Sequence, residues 1–376
     1  MINKIISKFK PKALDNFFAK LGFFKSKAAD IAKHYVSGLM NGFKRFNLQA
    51  LHLATEESSY SYRQLRYFIG DANWDENQLN EKRIQFMEND VRTKTKENGC
   101  ISFDDTSVVK SGKHTDGVAK QYAPGAGQIA NCKVVVTAHY SDDMKDFPLD
   151  AEGYYHGEES KLDLVCSLMD KAIERNLRFK WFNFDSWYCT DQVVKKAVEL
   201  EKYFVSYLKS NRIVIWKNKR TSVSDLVKIV SAENQKDAVI DLGKIYIKSL
   251  GNYRLIVKNT TCFVTNNFVE TPVAIIAAYS MRWNIDEFYH RAKDDLSFDQ
   301  FQVRNGLTIM RHWMMVFLAY TFWMHCKLKG VFSKICQTAI GSLADFAKLM
   351  QNLSFVRMAK KSTNVILAEL KLNSLN

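Results

Sequence analysis

Cys100-Ile101-Ser102-Phe103-Asp104-Asp105 is a short apolar run that ends in two carboxylates. Its apolar residues have strand character, and the acids mark where it leaves the core. A Gly-rich loop follows (Ser111-Gly112-Lys113, then Pro124-Gly125-Ala126-Gly127), and then the β-branched run Lys133 to Ala138. A third strand is expected near Phe147 to Tyr155, despite Pro148 and Gly153. Beyond it the pattern gives a helix over 161–175, a strand at Phe179 to Phe184 ending in Asp185, a helix over 191–201 and a strand over 203–208. Three strands followed by helix, strand, helix, strand imply an α/β fold, a mixed sheet covered by helices.

On the N-terminal side, residues 1–98 read as helical, with apolar residues three and four apart in Ala29, Ile31, Ala32, Tyr35 and Leu39. Gly70 to Asn73 reads as a break between helices. On the C-terminal side, residues 210–268 are rich in β-branched and basic residues, and from Thr271 onward the chain reads as helical. Four segments result: a helical domain over 1–98, an α/β domain over 99–209 and 269–325, a β-rich insertion over 210–268, and a basic helical region over 326–376.

The chain has 376 residues, 47% hydrophobic and 25% charged, which excludes disordered and fibrous classes. Its net charge of +14 is uneven. Residues 1–50 and 301–376 each carry +8, so the centre is slightly acidic. Basic ends around a near-neutral middle suit a polyanion held by the ends while chemistry occurs between them. The seven cysteines include no C-x-x-C pair, which argues against a disulfide framework or zinc knuckle and for a reducing, cytoplasmic setting. The apolar stretch Trp313 to Met324 is too short to span a bilayer and reads as a buried helix. No membrane partner is expected.

Asp104 or Asp105, and Asp185, stand at the ends of expected strands, where sheet enzymes place reactive groups. A third feature is YSMRWNIDEFYHRAK, residues 279–293. At about 100° per residue, Tyr279, Arg282, Asp286 and Lys293 fall within an arc of about 60° on one helix face, and Glu287 lies about 100° away. Ile285, Phe288, Tyr289 and Ala292 supply an apolar face, and Arg282 with Asp286 has the spacing of an i, i+4 ion pair. Three carboxylates from two strand ends and a helix suit hard cations such as Mg²⁺, here two of them, in phosphoryl transfer. The adjoining Tyr, Arg and Lys would hold phosphates. Alternation along a strand lets only one of Asp104 and Asp105 face such a site, and Asp104 is favoured. His114 reads as a solvated loop residue, Asp142, Asp143 and Asp150 as turn residues, and Trp283 as core.

With these residues the sequence resembles the DDE-type insertion-sequence transposases with a ribonuclease-H-like catalytic domain, in the group marked Y-(2)-R-(3)-E-(6)-K. Tyr279, Arg282 and Lys293 match that signature. The segment from Phe103 to Val134 is similar to the first-Asp strand and loop of one subgroup, and FNFDSWY to the second-Asp strand. The resemblance runs from about Cys100 to Tyr320, and the group also carries a β insertion between its second and third carboxylates. It departs at the signature Glu, which is Asp286 here, followed by Glu287. The resemblance implies catalytic, metal-holding Asp104, Asp185 and Asp286, with Asp105 and Glu287 as alternates. Tyr279, Arg282 and Lys293 would bind DNA. It further implies two Mg²⁺ or Mn²⁺ ions, a homodimer on double-stranded DNA, cleavage at transposon ends and strand transfer into target DNA. The rivals are a catalytically inactive, transposase-derived DNA-binding protein and a metal-dependent nuclease without strand transfer.

Overall fold

The computed structural model describes residues 12–40, 47–53, 60–112, 114–123, 126–235, 237–330, 342–343 and 345. Residues 1–11 and nearly all of the basic region beyond Gly330 lie outside them. The chain forms two compact units, residues 1–93 with 290–376, and residues 94–289.

The second unit is built on one sheet. Its strands are β1 (Cys100–Val109), β2 (Val118–Ala123), β3 (Gln128–Ser141), β4 (Asp146–Tyr154), β5 (Trp181–Phe184), β6 (Tyr203–Tyr207), β7 (Ile213–Trp216), β8 (Lys219–Ser222), β9 (Val239–Ile247), β10 (Gly251–Lys258) and β11 (Thr261–Thr265). The order is β2-β3-β1-β5-β6-β11-β10-β9-β7-β8, with β4 also on β3. β1, β3 and β4 run antiparallel, whereas β5 and β6 run parallel to β1. This is the mixed sheet expected from the strand-and-helix pattern. Parallel neighbours need crossovers, and two helices supply them: α6 (Lys161–Glu174) before β5 and α7 (Asp191–Glu199) before β6. Ser160 and Asp163 close a capping box at the start of α6, and Thr190 caps α7.

Residues 100–103 and 181–184 are all buried, as expected of central strands covered on both faces. The rings of Phe103 and Phe182 lie 5.5 Å apart, and those of Phe184 and Phe204 stack at 5.8 Å. Each such fully buried side chain contributes about 1.5–3 kcal/mol. The helix α9 (Pro272–Ser280), capped by Thr271, packs Ile275, Ala278 and Tyr279 against Cys100, Trp181 and Val205.

Several readings of this unit change. Asp104 and Asp105 do not end their strand: β1 runs on to Val109, because residues 104–109 stay paired with β3. The Gly-rich loop contains the strand β2, because Val118 to Ala123 pairs with the part of β3 that runs beyond the end of β4, on the edge opposite β1. Asp150 is not a turn residue: it is buried in β4 and accepts an ion pair from Arg175 at 2.7 Å. The β-rich stretch joins the main sheet through β11 on β6, and it holds a helix, α8 (Val223–Ala232), nucleated by the Ser222 cap.

The first unit is helical: α1 (Lys12–Leu21), α2 (Ser26–Met40), α3 (Leu48–Leu53), α4 (Tyr62–Gly70), α5 (Glu76–Glu88) and α11 (Gly306–Leu328). The expected break at Gly70 to Asn73 separates α4 from α5. The 23-residue α11 is buried along nearly its whole length, as its all-round apolar sequence requires. Some of its polar groups bond to neighbours: Arg83 donates to Thr321 Oγ1 at 2.9 Å, and Tyr35 Oη and His312 Nδ1 lie 2.8 Å apart. Among the described residues no helix is long and apolar enough to cross a membrane.

Candidate active site

β1 and β5 pair in parallel, with Cys100 beside Trp181 and Phe103 beside Phe184. Alternation then places Cys100, Ser102 and Asp104 on one face, in line with Trp181 and Asn183, with Asp185 following Phe184. That face carries α9, and Asn183 Nδ2 donates to the Ala278 carbonyl at 2.7 Å. Asp105 falls on the other face. Its carboxylate is held by Lys161 Nζ at 2.7 Å and by the Tyr188 hydroxyl at 2.5 Å. Lys161 and Tyr188 are neighbours of Asp105 that strand patterning alone did not reveal.

Asp185 leaves β5 in a tight turn, and its Oδ1 accepts from the backbone N–H of Trp187 at 2.8 Å and of Tyr188 at 3.1 Å. Asp286 lies in the first turn of α10 (Trp283–Leu296). Arg282 links β1 to α10. Arg282 donates from one guanidinium nitrogen to Asp104 Oδ2 at 3.3 Å, and from the other to Asp286 Oδ2 at 2.9 Å. The i, i+4 pair expected from spacing therefore forms, and the same cation also reaches the strand. Asp104 is fixed further by the Asp105 N–H at 2.8 Å on Oδ1 and by the Tyr289 hydroxyl at 3.0 Å on its carbonyl.

Burial, together with the charges of Asp185 and Asp105, raises the Asp104 carboxyl to about 7, with the Asp105 N–H and Arg282 opposing. Tyr279 is buried against Tyr207 and Phe263, with ring centroids 4.3 and 5.4 Å away, and burial pushes its phenol up. Lys293 stands in the last turn of α10 and belongs to the other compact unit. Burial lowers its ammonium, with Asp299 and Asp294 acting the other way. Glu287 is half-buried. Trp283 is not core: it is 59% exposed, because it lies about 160° round the helix from the buried Ile285.

Among the described residues no three His, Cys, Asp or Glu side chains approach closely enough to hold one metal ion. The donor chemistry nevertheless fits a hard divalent cation. Asp104, Asp185 and Asp286 offer carboxylate oxygens only, and Asp104 holds its proton strongly because it is buried and lies near the carboxylates of Asp185 and Asp105.

The family model described as Transposase DDE domain matches residues 95–322, and one described as DDE superfamily endonuclease matches residues 16–158. No curated protein matches the chain. Among solved structures, the piggyBac transposase in a synaptic complex with hairpin DNA is similar in fold, with TM-score 0.50 and 10% identity, over 95% of this chain and 79% of that one. The Drosophila P element transposase strand transfer complex matches at TM-score 0.28 and 10% identity, over 87% of this chain and 65% of that one. Endonuclease V of Ciona intestinalis, bound to inosine-containing DNA, matches at TM-score 0.28 and 10% identity, over 68% and 96%.

Proposed function

From its membership of the transposase DDE domain family, which makes this chain a DNA transposase, we propose that it cuts double-stranded DNA at transposon ends and joins the 3′-hydroxyl to target DNA. Asp104, Asp185 and Asp286 are the catalytic carboxylates in this reading. The observation that carries it is the reach of Arg282 to both Asp104 and Asp286, which joins the middle of β1 to a helix across 178 residues of sequence. Asp105 is the weaker alternate because Lys161 and Tyr188 already engage its carboxylate. Glu287 is the weaker alternate because it lies about 100° round the helix from Asp286.

Family membership supports a need for divalent metal ions, and we assign two Mg²⁺ or Mn²⁺. When bound by the three carboxylates, such ions would activate the attacking oxygen and stabilise the leaving one. The protein's own part is positioning. Arg282 would exchange a carboxylate for a phosphate of the scissile strand, with Tyr279 and Lys293 as further strand contacts. The helical domain over 1–98 and the basic C-terminal region would grip the transposon end, with the protein acting as a homodimer in the cytoplasm. The β-rich segment 210–268 would be the insertion of this transposase group.

The test is metal-dependent nicking of a terminal-repeat duplex, followed by joining of a precut 3′-hydroxyl end to plasmid. Nicking with no joined product would leave a nuclease. The Asp at position 286, where the group has Glu, favours an inactive DNA-binding derivative as the second reading. A parent protein that binds the duplex but never nicks it with Mg²⁺ or Mn²⁺ would establish that reading.

A further inference from the structure

The helical unit contains a cavity of about 590 Å³, well within the range of small-ligand sites. Its lining comes from α2, α3 and α4, and from the segment that leads into α11. Ile69 and Phe301 give it a buried apolar floor. Two exposed arginines line it from different elements, Arg66 on α4 and Arg304 just before α11. Among the described residues neither has an acidic partner, although ion pairs are frequent elsewhere in this unit. Asp71 is the single acid in the lining, so the cavity keeps a net positive charge. Gln49 and Gln302 add exposed amides, each able to donate and accept, and Tyr62 adds a ring that is 41% exposed.

We propose that this cavity is a DNA-backbone site of the helical unit, in which Arg66 and Arg304 clamp phosphate while Gln49, Gln302 and Tyr62 contact the adjoining nucleotide. Unpaired guanidinium forks match phosphate oxygens bidentately, and amides with an aromatic ring can meet base edges and faces. An apolar ligand would leave both arginines uncompensated, and an acidic peptide has no evident use for the amide pair. The inference rests on the transposase reading and extends it by naming where the helical unit holds DNA.

Binding is read by fluorescence anisotropy on a labelled duplex copied from the DNA flanking the gene, across a salt series, with full-length protein. Arg66→Ala and Arg304→Ala should each weaken binding about tenfold and lower the salt slope by about one. The Lys double variant should keep the slope but not the full affinity, because an ammonium is a point charge without the fork. Both arginines are exposed, so the melting temperature should be that of the parent. If the Ala double variant melts early, a Gln double variant is compared with the Lys one. A double variant with parental affinity and slope overturns the assignment. So does displacement of a free nucleotide from the cavity with no effect on duplex binding. Metal-dependent nicking by the parent on the same duplex separates the two claims: if the parent nicks and the double variant binds normally, the cavity assignment alone fails.

Discussion

Asp104→Asn should make the metal-free protein more stable at alkaline pH. The Asp104 carboxyl ionises at about 7 in the fold against an ordinary 3.8, chiefly because it is buried and secondarily because Asp185 and Asp105 are near. The native state therefore holds this proton more tightly than the unfolded chain does. The stability it contributes is complete below about 3.8 and is lost as pH rises through about 7. At about pH 8 the ionised carboxylate costs on the order of 4 kcal/mol, taking about 1.4 kcal/mol for each pH unit between those limits. Asparagine removes that charge but weakens the contacts with the Asp105 N–H and Arg282, a loss of about 1–2 kcal/mol. A net gain of roughly 2 kcal/mol should raise the melting temperature by about 4–8 °C near pH 8, and by little near pH 4. The assay is thermal or urea unfolding in EDTA at both pH values. Adding Mg²⁺ should narrow the gap by stabilising only the parent. An Asn variant no more stable than its parent at about pH 8, in EDTA, would refute the argument that burial and the nearby carboxylates hold this proton.

Asp286→Ala should abolish Mn²⁺-dependent nicking while leaving gel-shift affinity equal or higher, since it deletes a negative charge beside phosphate; nicking at the parental rate would move the third carboxylate elsewhere. Glu287→Ala should nick within about twofold of the parent, because it lies about 100° from Asp286 on the helix. Arg282→Ala should weaken engagement of a precut strand, losing a charge-assisted contact worth about 1.5–3 kcal/mol, which is checked by the yield of joined product at limiting DNA. Gly117→Ala should destabilise the protein by about 1–3 kcal/mol in urea unfolding, because φ is +69° there and a Cβ would come within 2.1 Å of the buried Lys133 Nζ.

What sequence alone determined was local and periodic. The mostly apolar runs before Asp104 and Asp185 gave the two central strands, since a strand covered on both faces buries consecutive residues. The four-residue spacing placed Arg282 within reach of Asp286, although the helix expected over 279–293 breaks at Met281 and Arg282, so that Tyr279 lies on α9 and Asp286 on α10. Tertiary structure decided what depends on partners distant in sequence. β2 is a strand because β3 outruns β4 and leaves residues 128–133 a free edge on that side, a fact that Val118 to Ala123 do not encode. Asp150 is a strand residue because β4 pairs it with Ala138 of β3, and Arg175, 25 positions on, neutralises its buried carboxylate. Strand alternation separated Asp104 from Asp105 but did not name their faces. That took the parallel register with β5, which set Asp104 toward Arg282 and left Asp105 to Lys161 and Tyr188. Patterning follows from the geometry of one element, whereas the charge balance of a site follows from which elements the core brings together.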